Sequence, residues 1–229
     1  KIFNTRPLVE RMKRDHPLSL DLPAVEEVSK ALKSSLYSLR TTKLLDELRG
    51  IEGNAAHLYF ALFNQFILQN RAAFTMEGRQ KRPPLDRVNA MLSFLYTVLA
   101  HDCASALEGV GLDAYVGFLH RDRPGRGSLA LDLMEELRSL FVDRLVLTLI
   151  NNRIVKPEHF EVKENGAVWL NDVGRKLILK EWQDKKRETI THPFLKEKLS
   201  WGLVPYVQSL LLARYLRGDI DEYPAFLWK

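Results

Sequence analysis

Apolar residues return every three or four positions along most of this chain. Val25, Val28, Ala31, Leu32 and Leu36 mark one such stretch. Val88, Met91, Leu92, Leu95, Leu99 and Cys103 mark a second, and Met134, Leu137, Phe141, Leu145 and Thr148 a third. This spacing gathers apolar side chains on one face of an α-helix; a strand would alternate them every residue. One place departs from the rule. Residues 160–163 and 167–170 flank Glu164-Asn165-Gly166, and Asn-Gly between alternating runs marks a tight hairpin, because both residues tolerate positive φ. The expected fold is mainly α, a multi-helix bundle-like domain with one small β-hairpin near 160–170.

With 229 residues, 46% of them hydrophobic, the chain can bury a core as one unit, 1–229. A single cysteine, Cys103, excludes an internal disulfide framework and fits a reducing cytoplasm, where it would serve as a small core residue. No apolar run of about 18 residues is evident, so no membrane span is expected, and a cytoplasmic location follows. The first residues, from Lys1, read like the middle of a longer protein. A net charge of +5 permits a nucleic-acid partner without requiring one.

Taken in order, the pattern predicts a short basic helix over 6–14, a helix from Leu22, and a third over 41–48. The third is interrupted at Arg49-Gly50-Ile51-Glu52-Gly53 and restarts as an apolar, central helix over 52–70. A basic loop over 71–84 leads to Asp86 as N-cap of a helix over 87–107. Ser128 is the expected N-cap of a long helix over 129–151. Helices are also expected over 173–189 and 193–217, the last ended by Gly218. The tail after it, with Tyr223, Phe226 and Trp228, is apolar enough to pack against something.

Three places carry candidate chemistry. His120 ends an apolar run and precedes Arg121, Arg123 and Arg126. Asp132 and Glu135 then lie three apart, on one face of a helix. Glu52 sits between Gly50 and Gly53; it either complements a helix dipole in a first turn or stands where side chains have been cleared for a large partner. Without further information, a solvated helix face is the better explanation of Asp132 and Glu135, and a structural or hydrogen-bonding role the better explanation of His120. Asn89 and Tyr96, two turns apart, share a face, as expected for a buried tyrosine with its hydroxyl satisfied.

Arg49-Gly50-Ile51-Glu52-Gly53-Asn54-Ala55-Ala56, Val88-Asn89-Ala90-Met91-Leu92-Ser93-Phe94-Leu95-Tyr96 and the stretch from Gly117 to Glu136 stand in an order and spacing that resembles the CRISPR-associated adaptation integrase/endonuclease family, "Cas one", and most nearly its type I-C branch. The likeness runs over essentially the whole chain. It corresponds to the family's C-terminal helical catalytic domain, without the N-terminal β domain.

The resemblance implies a divalent-metal site, for Mg²⁺ or Mn²⁺, from Glu52, His120 and Glu135, with Asp132 on the family's other acidic position. It implies phosphodiester transesterification or hydrolysis in spacer acquisition, on protospacer DNA and a repeat array. The implied partners are a second copy of the chain, the "Cas two" adaptation protein and the "Cas four" nuclease. Such chemistry suits the donor set: hard carboxylates and one imidazole activate an attacking oxygen and shield converging anions. Arg49, Arg79, Lys81, Arg82, Arg121, Arg123, Arg126 and Arg138 are the candidate phosphate contacts. Arg138, one turn after Glu135, either meets phosphate or pairs with that carboxylate. The other reading of the chain is a non-catalytic DNA-binding or scaffold fragment of the adaptation complex.

Overall fold

The structure, a computed structural model, describes residues 1–80, 82–121 and 123–228. Among these residues there are eight α-helices and two two-stranded sheets. The organising element is α4 (Arg87–Gly109). Its N-cap Asp86 accepts the Asn89 N–H at 2.7 Å, and Val88, Met91, Leu92, Leu95, Leu99, Cys103 and Leu107 are buried at the predicted spacing. Contrary to the expectation from composition, α4 is long and apolar enough to cross a membrane, but half of its apolar window is buried within the protein. It packs against α5 (Ser128–Met134), α8 (Val204–Leu216) and the hairpin strand β2 (Val168–Leu170). An interior apolar helix explains the composition.

α1 (Ile2–Asp15), α2 (Leu22–Thr41) and α3 (Leu45–Ala61) pack on one another beside this core. α1 starts four residues earlier than the charge pattern suggested and runs through Pro7. An interior proline costs roughly 3 kcal/mol. The burial of Ile2, Leu8, Val9 and Met12 offsets it, at about 1.5–3 kcal/mol per large side chain.

The expected break at Gly50 and Gly53 does not occur: α3 is continuous through both. A Cβ at either position would meet nothing within 4 Å, so no close contact demands glycine there. Each glycine costs a helix about 1 kcal/mol, which burying Tyr59 and Phe60 on the inner face outweighs. Glu52 is therefore mid-helix rather than in a first turn, where Asp46 and Glu47 stand instead. α3 is not the central helix either, and it stops at Ala61 rather than continuing to 70. Beyond it, side chains take the backbone groups a helix would need. Asn64 bonds Met76 N–H and carbonyl at 2.9 and 2.7 Å, and Asn151 bonds Leu68 N–H and the Phe66 carbonyl at 2.7 and 2.9 Å.

The expected helix over 129–151 is also divided, into α5, a turn at 135–137, a π-helical segment Arg138–Asp143, and α6 (Arg144–Asn151). At this turn the Glu136 carbonyl accepts the side-chain amide of Asn4, on α1, at 2.7 Å. Gly127, not Ser128, is the N-cap of α5.

The hairpin stands as predicted: β1 (Phe160–Val162) pairs with β2, Phe160 opposite Leu170, and Gly166 has φ +78°. After α7 (Asp172–Arg187) comes a second sheet that the pattern did not reveal. β3 (Thr189–Thr191) pairs antiparallel with β4 (Lys198–Ser200) in the region assigned to the ends of two helices. α8 begins only at Val204, with Pro205 in its first turn, where a missing N–H costs nothing. The tail folds back: Phe226 is fully buried, stacked with Trp228 and tilted against Trp201.

Candidate active site

A cavity of about 540 Å³ opens between the start of α1, α3, the loop at Gly78 and Arg79, the His120 loop and the segment just after α5, and Glu52, His120 and Glu135 all line it. Their positions have separate causes. On α3, Glu52, Ala56 and Phe60 follow one another at four-residue steps, so the same face that carries the carboxylate forms the wall. Glu135 projects from the turn that interrupts the helix after Met134.

His120 is held by its own loop. A Cβ on Gly117 would lie 2.7 Å from Ser128 Cβ and 2.9 Å from Asp132 Oδ2, so only glycine lets the loop lie this close to α5. The loop then wraps the Asp132 carboxylate. The N–H groups of Phe118, Leu119 and His120 donate to it at 2.6, 3.0 and 3.0 Å, and His120 Nδ1 lies 2.6 Å from Oδ1. Burial opposes ionisation of Asp132, but the imidazole and the three amides outweigh it and lower its pKa. An ionised carboxylate only accepts, so Nδ1 carries a proton, and in the neutral ring Nε2 keeps the lone pair. This is how a carboxylate orients a metal-ligating histidine from behind. Asp132 thus stands as the support of His120, not beside Glu52 and Glu135.

Glu135 is enclosed by cations. Arg138 Nη1 donates to Oε1 at 2.6 Å, and the Lys1 ammonium lies 3.0 Å from Oε2. Oε2 is buried and receives no well-directed hydrogen bond; the lysine contact is an ion pair. Burial works against the charge, but Arg138 and Lys1 prevail and hold this carboxyl at about 2. The Lys1 ammonium also pairs with Glu52, bridging the two acids. Among the described residues no three His, Cys, Asp or Glu side chains stand close enough to hold an ion as they are. The site nevertheless fits a divalent cation: two ionisable carboxylates face a shared cationic centre, one with an oxygen lacking a directed donor, beside an imidazole with a free lone pair.

Two arginines add positive charge to the lining. Arg138 lies over the Tyr96 ring at 4.1 Å and Arg79 over the same ring at 5.4 Å; both line the cavity. Arg79 is also tied to Asn89 Oδ1 and Ser93 Oγ, at 2.7 and 3.1 Å. Arg138 is buried and paired with Glu135, which decides the choice its spacing left open. Arg49 and Arg121 both bond Asp46, at 2.7 and 3.0 Å, and Arg49 Nε donates to the Leu119 carbonyl at 2.8 Å. These two fasten α3 to the His120 loop. Arg82 and Arg123 are exposed and Arg126 half-buried on the same loops. Lys81 lies outside the described residues.

Residues not foreseen also shape the site. Tyr96 and Tyr59 donate their hydroxyls to Asp143, the latter at 3.0 Å, beneath the arginines. Burial pushes the Asp143 carboxyl up despite Tyr96 and Arg138. An acid ending the apolar run Leu140-Phe141-Val142 was the available signal. His57 lines the cavity from α3. Nothing in the pattern brings Lys1 to Glu52, 51 positions away.

The model of the family "CRISPR associated protein Cas1" matches residues 1–184. The chain belongs to the Cas1 endonuclease family. A CRISPR-associated endonuclease Cas1 of Rhodospirillum rubrum is 52% identical over all of this chain and 68% of its own length. That of Leptospira interrogans is 41% identical over all of this chain and 90% of its own. A Cas4/Cas1 fusion of Geobacter sulfurreducens is 37% identical over 99% of this chain and 41% of its own. Among solved structures, a Cas1 protein from Thermotoga maritima superposes with a TM-score of 0.72 at 28% identity, covering 95% of this chain and 66% of that one. Two others share the fold at 24% identity. A casposase bound to integration product has a TM-score of 0.80 over all of this chain and 64% of its own. A Cas6-RT-Cas1–Cas2 complex has 0.81 over all of this chain and 24% of that one.

Proposed function

We propose that this Cas1 chain is the catalytic part of a divalent-metal-dependent DNA endonuclease and integrase that cuts or transfers phosphodiesters in CRISPR spacer acquisition. The observation that carries the reading is the meeting of Glu52, His120 and Glu135, from separate segments, at one cavity with a cation between the acids. These three would hold Mg²⁺ or Mn²⁺, and the ion would supply Lewis-acid stabilisation of a reacting phosphate and activation of a hydroxyl or water. Asp132 fixes the His120 ring and its tautomer. Arg138 keeps Glu135 ionised and aimed, while Arg79 adds positive charge to the same cavity, where the non-bridging oxygens of a phosphate would gain from it. Exposed Arg82 and Arg123, with Arg126, extend the positive surface along a DNA backbone. The partners we assign are protospacer and repeat DNA, a second copy of the chain, and the Cas2 and Cas4 proteins, in the cytoplasm. The Cas2 complex among the fold relatives and the Cas4/Cas1 fusion support them.

The test is strand transfer and cleavage of branched DNA with Mn²⁺ or Mg²⁺. Glu52→Ala, His120→Ala and Glu135→Ala are each expected to lose roughly 10³-fold in turnover, since such an ion contributes several kcal/mol to the transition state. DNA binding equal to wild type with no turnover in any metal would mark a scaffold instead.

A further inference from the structure

The group at the centre of the cavity is a lysine. The Lys1 ammonium contacts the Glu52 carboxylate and stands 3.0 Å from Glu135 Oε2, and its side chain is only 15% exposed. Its place follows from how α1 is anchored. The Thr5 N–H and hydroxyl return to the Lys1 carbonyl at 3.0 and 3.3 Å, closing the first turn of α1. One turn on, the buried Asn4 side chain is held by three backbone groups: it donates to the Glu136 and Phe226 carbonyls and accepts the Trp228 N–H, at 2.7, 2.6 and 2.9 Å. Lys1 is therefore aimed by packed structure.

The two acids it bridges are not equally provided for. Glu135 has Arg138 as well; among the described residues, Lys1 is the cation paired with Glu52. Two carboxylates brought to one cavity repel unless a cation lies between them, and removing one member of a buried ion pair leaves the other charge uncompensated. We propose that Lys1 is the resident counter-cation of the ion site: in the ion-free protein its ammonium holds Glu52 and Glu135 together where a divalent cation would sit, and ion entry displaces it. The inference rests on the assignment of these acids as ion ligands. Its consequence is a competition. The protein's apparent affinity is the intrinsic affinity reduced by the fraction of molecules in which the lysine has moved aside.

Calorimetric titration of Mn²⁺ into wild type, Lys1→Met and Lys1→Arg tests this, with circular dichroism as the control for folding. Lys1→Met, which keeps an apolar stem and loses the charge, is expected to bind Mn²⁺ about tenfold more tightly than wild type, the size of a competitor that holds the site in roughly nine molecules of ten. Its melting temperature should fall without ion and recover when Mn²⁺ is added, more than that of wild type. Lys1→Arg, still charged, should bind no more tightly than wild type. Should Lys1→Met not fold, Lys1→Gln is titrated in its place with the same expectation. Mn²⁺ affinity in the neutral variant equal to or below that of a wild type that does bind Mn²⁺ overturns the proposal and leaves the ion site standing. Absence of Mn²⁺ binding in wild type and variants alike overturns both.

Discussion

Glu135 and Glu136 are neighbours on the turn that divides the α5–α6 segment, and they face opposite sides of it. Glu135 looks into the cavity, where its partners are Arg138 and Lys1. Glu136 looks toward the C-terminal tail, where its partners are neutral donors: Gln208 Nε2 at 2.9 Å, the Tyr223 hydroxyl at 2.7 Å and the Phe226 N–H at 2.7 Å. Both acids are deeply buried, yet their pKa values move apart. Two cations overcome burial and lower Glu135; burial prevails over three dipolar donors and raises Glu136. One side of the turn concentrates full charges. The other side uses the same residue type as a hub that fastens the tail and α1 to the core.

That division can be broken from either side. The first break is at the support of the cavity side. Asp132→Asn keeps the shape but replaces an acceptor-only carboxylate, so the His120 tautomer is no longer fixed. Mn²⁺ affinity or turnover per folded molecule should drop about 10–100-fold, the range for outer-sphere partners of metal ligands; the melting temperature should fall as well, because the new amide NH₂ faces backbone N–H groups that now donate to the carboxylate. A large loss of stability without loss of affinity per folded molecule would move Asp132 to the structural side.

On the tail side, Glu136→Ala leaves the Tyr223 hydroxyl and the Phe226 N–H without their acceptor and takes one of three from Gln208 Nε2. It should cost about 2–4 kcal/mol in denaturant unfolding, from two donors stranded in a largely buried setting, while Mn²⁺ binding by the folded fraction persists. Tyr223→Phe removes one of these donors and should cost about 1 kcal/mol. The smallest effect is a rate. Cys103 is fully buried on α4, and burial first, then Asp102 and Glu136, pushes its thiol up. The folded protein should therefore resist thiol-reactive reagents. Glu136→Ala should quicken labelling of Cys103 by loosening the tail, and Glu135→Ala should not.

The contrast between the two glutamates also shows what could be read from the chain and what could not. Apolar periodicity located α2 and α4, and Asn165-Gly166 located the hairpin, because each depends on local spacing. It failed where distant groups decide. The helix expected across 129–151 is divided where the Glu136 carbonyl bonds Asn4 of α1, a contact 132 positions away. Thr189-Ile190-Thr191 makes a strand only because Lys198-Leu199-Ser200 lies beside it, and three residues are too few for alternation to register. Gly50 and Gly53 suggested a break that inner-face burial overrides.

For the site, spacing alone favoured a solvated face for Asp132 and Glu135 over a role as ligands. Glu52, His120 and Glu135 were singled out by resemblance to a family, and the fold brings them to one cavity. Nothing local distinguishes Glu135 from Glu136, or marks Lys1 as their companion. Those roles come from what each side chain meets after folding.

The most direct measurement is a crystal of the protein soaked in Mn²⁺ and read by anomalous scattering. We predict one strong peak bonded to Glu52, His120 Nε2 and Glu135, with Asp132 still behind the imidazole and the Lys1 ammonium moved off the two carboxylates. A site without a peak after soaking, or a peak held by Asp132 or Glu136 with Glu52 and Glu135 still bridged by Lys1, would contradict the assignment.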